Sequence, residues 1–412
     1  MSAQPLRFLH ASDLHLEQPP FGFAEAPDTL RDSLLEAPWR AAKQIFDVAC
    51  DEHVDFLILS GDIIDLRKAG PRGIVFLYEQ FQRLAEREIH VYWAGGKIDP
   101  PDAWPDAVAL PDRVHVFPTG RIEQVTHFRG ETPIASIAGY SRTGKNAVPV
   151  GRFPADPTGL FSIGVGHGPV DIESLKSQRV SYLALGGVHA RKTLCSEPRT
   201  AHYSGTHQGR STTEHGPHGV TLVQIDEHER PRLRLMTTDV LRFVEERLEV
   251  TPEVGRTALE NILRERMLAV IEREMGRDLL VHWTISGAGG TSGVLRHQGL
   301  IEELLVRLRR DFGHGQPLAW SLDIEMLRPA GVPIAWMEEE TILGDFLRLA
   351  SEYAENSDME LDLNSHLTAK HAEGIVGAKV AMENLKQRIE VLQQATWLGA
   401  ELLGASHDLR DI

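Results

Sequence analysis

Over residues 1–228, short apolar runs alternate with segments of helical periodicity, the pattern of an α/β domain. Leu6–Ala11, Asp55–Ser60, His90–Ala94, Ser162–Gly166 and Tyr182–Gly186 predict strands. Several are nearly continuous in apolar residues, as expected of strands covered on both faces. His202–Ser204 and Gly219–Ile225 predict two further strands that close the domain. From about 240 to 330 the pattern changes. Phe243–Val250 alternates, and Thr257–Met275 carries Leu259, Ile262, Leu263 and Val270 at helical spacing. Strand-like Leu279–Ile285, helical Leu300–Phe312 and strand-like Leu318–Leu327 follow. That order predicts a small α+β domain. The run Pro329-Ala330-Gly331-Val332-Pro333 reads as a linker. Beyond it, Ile375, Ala378, Met382, Leu385, Ile389, Leu392 and Thr396 follow 3-4 spacing. The helix so predicted turns its seam toward its own domain or toward a partner helix.

The polar positions carry the chemistry. Asp13, Asp62, Asp99, His167 and the Gly186-Gly187-Val188-His189 segment each fall just after a predicted strand. In open α/β sheets, sites assemble at the carboxyl ends of strands, so these scattered groups can meet on one rim. Aspartate and histidine together suit a divalent ion such as Mn²⁺, Fe²⁺ or Zn²⁺. Asp13-Leu14-His15 is a weak signal alone, and Gly61-Asp62-Ile63-Ile64-Asp65 a more specific one. The ordered set is the strong observation.

Composition narrows the setting. A chain of 412 residues has length for two or three domains. No apolar run approaches the roughly 20 residues that span a bilayer. The first strand begins within a few residues of Met1, which predicts no signal peptide. Two cysteines, Cys50 and Cys195, stand in no metal-ligand spacing, and a reduced cytoplasmic setting is expected. The net charge of −16 argues against a surface coated for nucleic acid. Basic residues nonetheless gather near the polar segments, and Arg142, Lys145, Arg191, Lys192 and Arg210 are the candidate DNA contacts.

Phe8-Leu9-His10-Ala11-Ser12-Asp13-Leu14-His15-Leu16 resembles the opening motif of calcineurin-like metallophosphoesterases. More narrowly, the chain is similar to the SbcD/YhaO-type DNA-repair exonucleases and their meiotic-recombination relatives. Tyr203-Ser204-Gly205-Thr206-His207-Gln208-Gly209-Arg210, with Glu214, His215, Gly216, Pro217 and Gly219, resembles the end of that nuclease domain. The resemblance implies an α/β, four-layer metallophosphoesterase sandwich over 1–228. A small α+β capping domain over 240–330 and a C-terminal helical partner-binding region over 336–412 would follow. It also implies an SbcC/YhaN-like coiled-coil ATPase as partner, DNA ends as ligand, and a homodimer.

Carried over by position, metal 1 would be held by Asp13, His15, Asp62 and His189, all present. Metal 2 would use Asp62, an asparagine, His167 and a further histidine. Here the asparagine position is Lys97 and the second histidine position is Gly187. The family's catalytic histidine position is Ile98, which cannot move a proton, while Asp99 is retained. One Mn²⁺ (or Fe²⁺/Zn²⁺) at metal 1 is therefore expected, with Lys97 expected to pair with Asp62 in place of the second ion. His10, His207 and His215 are the nearby residues that could complete the damaged half. Three functions remain open: a DNA-end-binding or regulatory subunit of an ATPase complex, an active Mn²⁺-dependent DNA exo/endonuclease using one metal, and a phosphodiesterase on a non-nucleic-acid substrate.

Overall fold

The computed structural model describes residues 5–22, 28–142, 144, 146–250, 254–286, 298–327, 332, 334–356 and 385–404. By internal contact the chain divides into two compact units. The first comprises residues 1–245, 271–281 and 314–319, and the second residues 246–270, 282–313 and 320–412.

The first unit is built on two stacked six-stranded sheets. In one, β1 (Arg7–Ala11), β2 (Phe56–Leu59), β3 (His90–Ala94) and β4 (Val114–Phe117) run parallel. In the other, β6 (Thr132–Tyr140), β7 (Phe161–His167), β8 (Tyr182–Gly186) and β10 (Thr200–Tyr203) do the same. Antiparallel strands finish the edges. These are β11 (Gly219–Ile225) and β12 (Pro231–Thr237) on the first sheet, with β5 (Glu123–Arg129) and β9 (Lys192–Cys195) on the second.

Period-two alternation sorts each central strand between two cores. Leu9, Ala11, Leu57, Leu59, Val91 and Trp93 belong to a cluster that also holds Ile45, Phe46, Leu77, Phe81 and Leu84. Those partners come from helices α1 (Asp28–Asp51) and α2 (Leu66–Glu86). Phe8, Phe56, Ile58 and Tyr92 instead meet Ala135, Ile137, Ile163, Val165 and Tyr182 between the sheets. The far side of the second sheet packs Leu183, Leu185 and Ala201 on Val148, Val150 and Phe153. Burial on both faces explains the continuous apolar runs of the sequence. At the bottom edge, Asp55 accepts from Arg129 Nε and Nη2, both at 2.8 Å, and from the Arg7 amide at 3.0 Å, tying β5 to the strand ends of the other sheet.

The strands β1, β2, β3, β7, β8, β10 and β11 lie where the apolar runs predict them. β4, β5, β6, β9 and β12 had no such forecast. β5 and β12 are edge strands with alternating exposed positions, such as Gln124 and Thr126 or Arg232 and Arg234, and so lack a continuous apolar run.

Further along, β13 (Leu241–Glu249), β14 (Asp278–Ser286) and β15 (Ala319–Met326) form a three-stranded sheet in that order. Helices α3 (Arg256–Arg273) and α4 (Gln298–Phe312) alternate with them, giving the β-α-β-α-β order expected. Within the second unit, buried Trp283 donates to Ser321 Oγ at 3.0 Å. A short helix α5 (Ile334–Met337) precedes α6 (Ile342–Glu355) and α7 (Leu385–Gly404). Leu385, Ile389, Leu392 and Thr396 of the predicted seam lie on α7, which packs on α6, with Leu347, Leu392, Trp397 and Ala400 buried. Ile375, Ala378 and Met382, and most of the Pro329–Pro333 linker, fall outside the described residues. Among the described residues, no helix is long and apolar enough to cross a membrane.

Candidate metal centre

The rim at the carboxyl ends of β1, β2, β3, β7 and β8 gathers the polar segments, as their positions after strands predict. Three of these residues, Asp13 (φ 53°), His15 (φ 43°) and Asp62 (φ 54°), occupy the left-handed region. Such a conformation is uncommon for side-chain-bearing residues and persists only where the surroundings enforce it. Here the loops lock each other. The Asp13 amide donates to Gly61 O at 2.9 Å and the His15 amide to Asp62 O at 3.1 Å. Gly186 has to be glycine, because a Cβ there would lie 2.0 Å from Ser60 O and 2.9 Å from His167 Nδ1.

Two groups of donor atoms result, each closed within 4.8 Å: Asp13, His15 and His189, and Asp13, Asp62 and His167. Asp13 therefore reaches both halves. It accepts from Ser12 Oγ at 2.6 Å and from the Gly187 amide at 2.9 and 3.1 Å. Burial pushes its carboxyl up, against the pull of His167 and the Ser12 bond. Asp62 lies 3.3 Å from His167 Nε2 and 4.0 Å from His15 Nε2 through the same oxygen, Oδ2. Burial works against its charge, but His167 and the Ile98 amide outweigh it and hold the carboxyl well below the usual range. His167 gives Nδ1–H to Ser60 O at 2.9 Å, which turns Nε2 into the cluster. Burial disfavours its protonation, yet Asp62 and Asp13 together raise it. Burial, then the Arg210 charge, lowers His15 to about 4.

Both ring nitrogens of His15 are buried with no hydrogen-bond partner, and buried His167 Nε2 meets the Asp62 carboxylate at 3.3 Å. Buried nitrogens left unpaired are costly, and a cation among them removes that cost. The donor set of imidazoles and carboxylates fits Mn²⁺, Fe²⁺ or Zn²⁺. His189 is oriented by Glu214, whose Oε1 lies 2.7 Å from its Nδ1, the carboxylate–histidine arrangement that steers a ligand's other nitrogen toward a metal.

Asp99 is a scaffold residue. Its Oδ1 accepts from the amides of Asp62 (2.9 Å) and Gly96 (2.7 Å), and its Oδ2 from Ile63 N (3.1 Å) and Trp93 Nε1 (2.9 Å). Burial, helped by the Asp62 charge, pushes its carboxyl up to about 7 against the Ile63, Gly96 and Trp93 donors. Asp65, the second carboxylate of the Gly-Asp-x-x-Asp motif, is the N-cap of α2 and accepts from Arg67 N.

The ion pair expected between Lys97 and Asp62 does not form. The Lys97 side chain is exposed, and Asp62 Oδ1 is instead held by the backbone amides of Lys97 (2.5 Å) and Ile98 (3.1 Å). Gly96 permits this approach, since a Cβ there would lie 2.4 Å from Asp62 N and Oδ1, and the amides rather than the cationic side chain meet the carboxylate. Gly187 faces His167, with an added Cβ 3.2 Å from its Nε2. None of the three substitute histidines enters a cluster. His10 bonds Tyr182 Oη and Ser60 Oγ, His207 bonds Pro38 O, and His215 lies 3.9 Å from Glu245. Among the candidate DNA contacts, Arg191 and Lys192 are exposed and Arg142 half-buried, whereas Arg210 is buried beside His189. Lys145 falls outside the described residues. Ser12, the Gly187 amide and the Glu214–His189 contact went unforeseen as site components, since none has a spacing that links it to a ligand in sequence.

The sequence profile of the calcineurin-like phosphoesterases matches residues 6–246. The chain belongs to that family. Its phosphoesterase region thus spans both sheets and every donor of the two clusters. An uncharacterized metallophosphoesterase, YhaO of Bacillus subtilis (strain 168), is 27% identical over 334 residues, covering 78% of this chain and 81% of the relative. A crystal structure of a dimetal phosphatase from Danio rerio covers 57% of this chain and 99% of that chain, at 11% identity and a TM-score of 0.34. Likeness at that level carries no argument about the site.

Proposed function

We propose that this phosphoesterase is a nuclease-like subunit of the SbcD/YhaO type. It holds one divalent ion at Asp13, His15, Asp62 and His189, binds DNA ends, and cleaves them weakly or not at all. An SbcC/YhaN-like coiled-coil ATPase is its proposed partner, and a homodimer its proposed state. The observation that carries this reading is the second half of the site. There Asp62 and His167 meet two backbone amides and a glycine, and the neighbouring side chains are an exposed lysine and a half-buried isoleucine. A divalent ion supplies polarisation of a phosphoryl oxygen. Glu214 and Ser12 would orient the His189 and Asp13 ligands of such an ion, but Ile98 offers no proton to a leaving group. A missing general acid alone costs roughly 10²–10⁴-fold. Exposed Arg191 and Lys192 beside His189 support contact with a polyanion.

A second reading, an active phosphodiesterase, is favoured by the convergence of Asp13, Asp62 and His167, three donors that could still hold a second ion. Metal analysis and a Mn²⁺-dependent nuclease assay, on wild type and on a Lys97→Asn, Ile98→His, Gly187→His triple variant, separate the two. The proposed function expects at most one ion and negligible cleavage in the wild type, and a second ion with new activity in the variant. Robust wild-type cleavage of DNA would sink it. Cleavage of bis-p-nitrophenyl phosphate without DNA binding would point instead to a small-molecule substrate.

A further inference from the structure

The segment after β10, with its Gly205, Gly209, Arg210 and Glu214 motif, has no donor in either metal cluster, yet it folds against the first. Arg210 is only 5% exposed. Its carbonyl accepts from the Phe21 amide at 2.7 Å, and its Nη1 donates to Gln18 Oε1 at 3.1 Å, both on the chain that follows β1. Its Nη2 lies 2.9 and 3.1 Å from the two ring nitrogens of His189. Glu214 holds Nδ1 of the same ring, so Arg210 and the first cluster meet at His189.

The guanidinium is not satisfied by this arrangement. Its Nε is buried with no hydrogen-bond partner. Glu214 gives one oxygen to His189 and the other to the Arg210 backbone amide, at 2.7 and 3.0 Å, and stands 3.7 Å from Nη2. No carboxylate therefore grips the guanidinium fork, which carries five donors. An anion with more than one acceptor oxygen would meet the spare donors.

We propose that Arg210 holds a phosphoryl oxygen of the substrate beside the ion of the first cluster, with Gln18 holding its guanidinium and Glu214 its backbone amide. This rests on the phosphodiester reading above for the nature of the substrate, but not on DNA or on the number of ions. Calorimetric titration of inorganic phosphate into Mn²⁺-loaded full-length protein tests it, with metal content measured on the same samples. Arg210→Ala is expected to weaken phosphate binding about tenfold to a hundredfold, the scale of a charge-assisted hydrogen bond, at unchanged metal content. Arg210→Lys, which keeps the charge but not the fork, should recover part of that loss. Unchanged phosphate affinity in Arg210→Ala would overturn the assignment, as would a loss of phosphate that merely tracks loss of Mn²⁺ in both variants. Arg210-dependent phosphate binding by a protein that ignores DNA would support this role while rejecting the nuclease-like reading.

Discussion

Gly187 offers the sharpest test of how the two halves of the site are coupled. Its φ of +100° is a conformation that side-chain-bearing residues rarely adopt, and it aims the amide at both oxygens of Asp13. An alanine Cβ would stand 3.2 Å from Gly168 N, 3.2 Å from His167 Nε2 and 3.3 Å from Gly168 Cα. The backbone cost is about 1–2 kcal/mol. The three close contacts, relieved by shifts of a few tenths of an ångström, add about 1 kcal/mol more. Gly187→Ala should therefore destabilise the metal-free protein by about 2–3 kcal/mol. Gly187→His meets the same backbone cost but sets an imidazole beside His167, adding a donor to the group of Asp13, Asp62 and His167. Binding of Mn²⁺ to that group at a hundred times its dissociation constant would return about 2.7 kcal/mol. Thermal unfolding of both variants with and without Mn²⁺ reads the difference. The histidine variant should regain stability with Mn²⁺ well beyond the alanine variant. An alanine variant within about 0.5 kcal/mol of wild type would refute the strain argument. Equal rescue of both variants by Mn²⁺ would refute the placement of the side chain.

Two further outcomes are expected. Asp99→Ala removes the acceptor of four buried N–H groups, so about 3–5 kcal/mol should be lost, and metal content should fall because the loops bearing Asp62 and Gly96 lose their anchor; denaturant unfolding with metal analysis checks it, and intact metal binding would contradict the scaffold role. His127, His202 and His207 are each lowered to about 3 by burial, so below the ordinary value of 6.5 the unfolded chain takes up protons that the folded chain refuses. Stability should thus fall as pH drops from 6.5 toward 3, by up to roughly 1.4 kcal/mol per pH unit for each histidine; urea midpoints at pH 7 and 5 measure it, and a flat profile would show these rings to be solvated.

Much of the site was legible because its spacing is local. Asp13 and His15 are two residues apart after an apolar run, Asp62 follows another, and His167 and His189 close two more; runs this short, bounded by turn residues, fit strands buried on both faces, and strand ends share a rim. Edge strands such as β5 and β12 were not legible, because half of their residues face outward and dilute the apolar signal. The same limit applied to Asp65. Its place in a motif suggested chemistry, yet it caps α2, a role that depends on where a backbone amide lies.

Residue identity by itself determined which donors exist, that Ile98 cannot carry a proton, and that Lys97 and Gly187 supply no metal ligand of the expected kind. Direction was decided only in three dimensions. Lys97 carries a charge in any conformation, but the backbone after Gly96 presents its amide to Asp62 and leaves its side chain exposed. Arg210 reads in sequence as one more surface cation, and it is the packing of its segment against Gln18, Phe21 and His189 that buries it beside a metal cluster. A side chain's chemistry is fixed by its atoms. Its partners are fixed by backbone dihedrals and by contacts between segments far apart in the chain, which spacing along that chain does not encode.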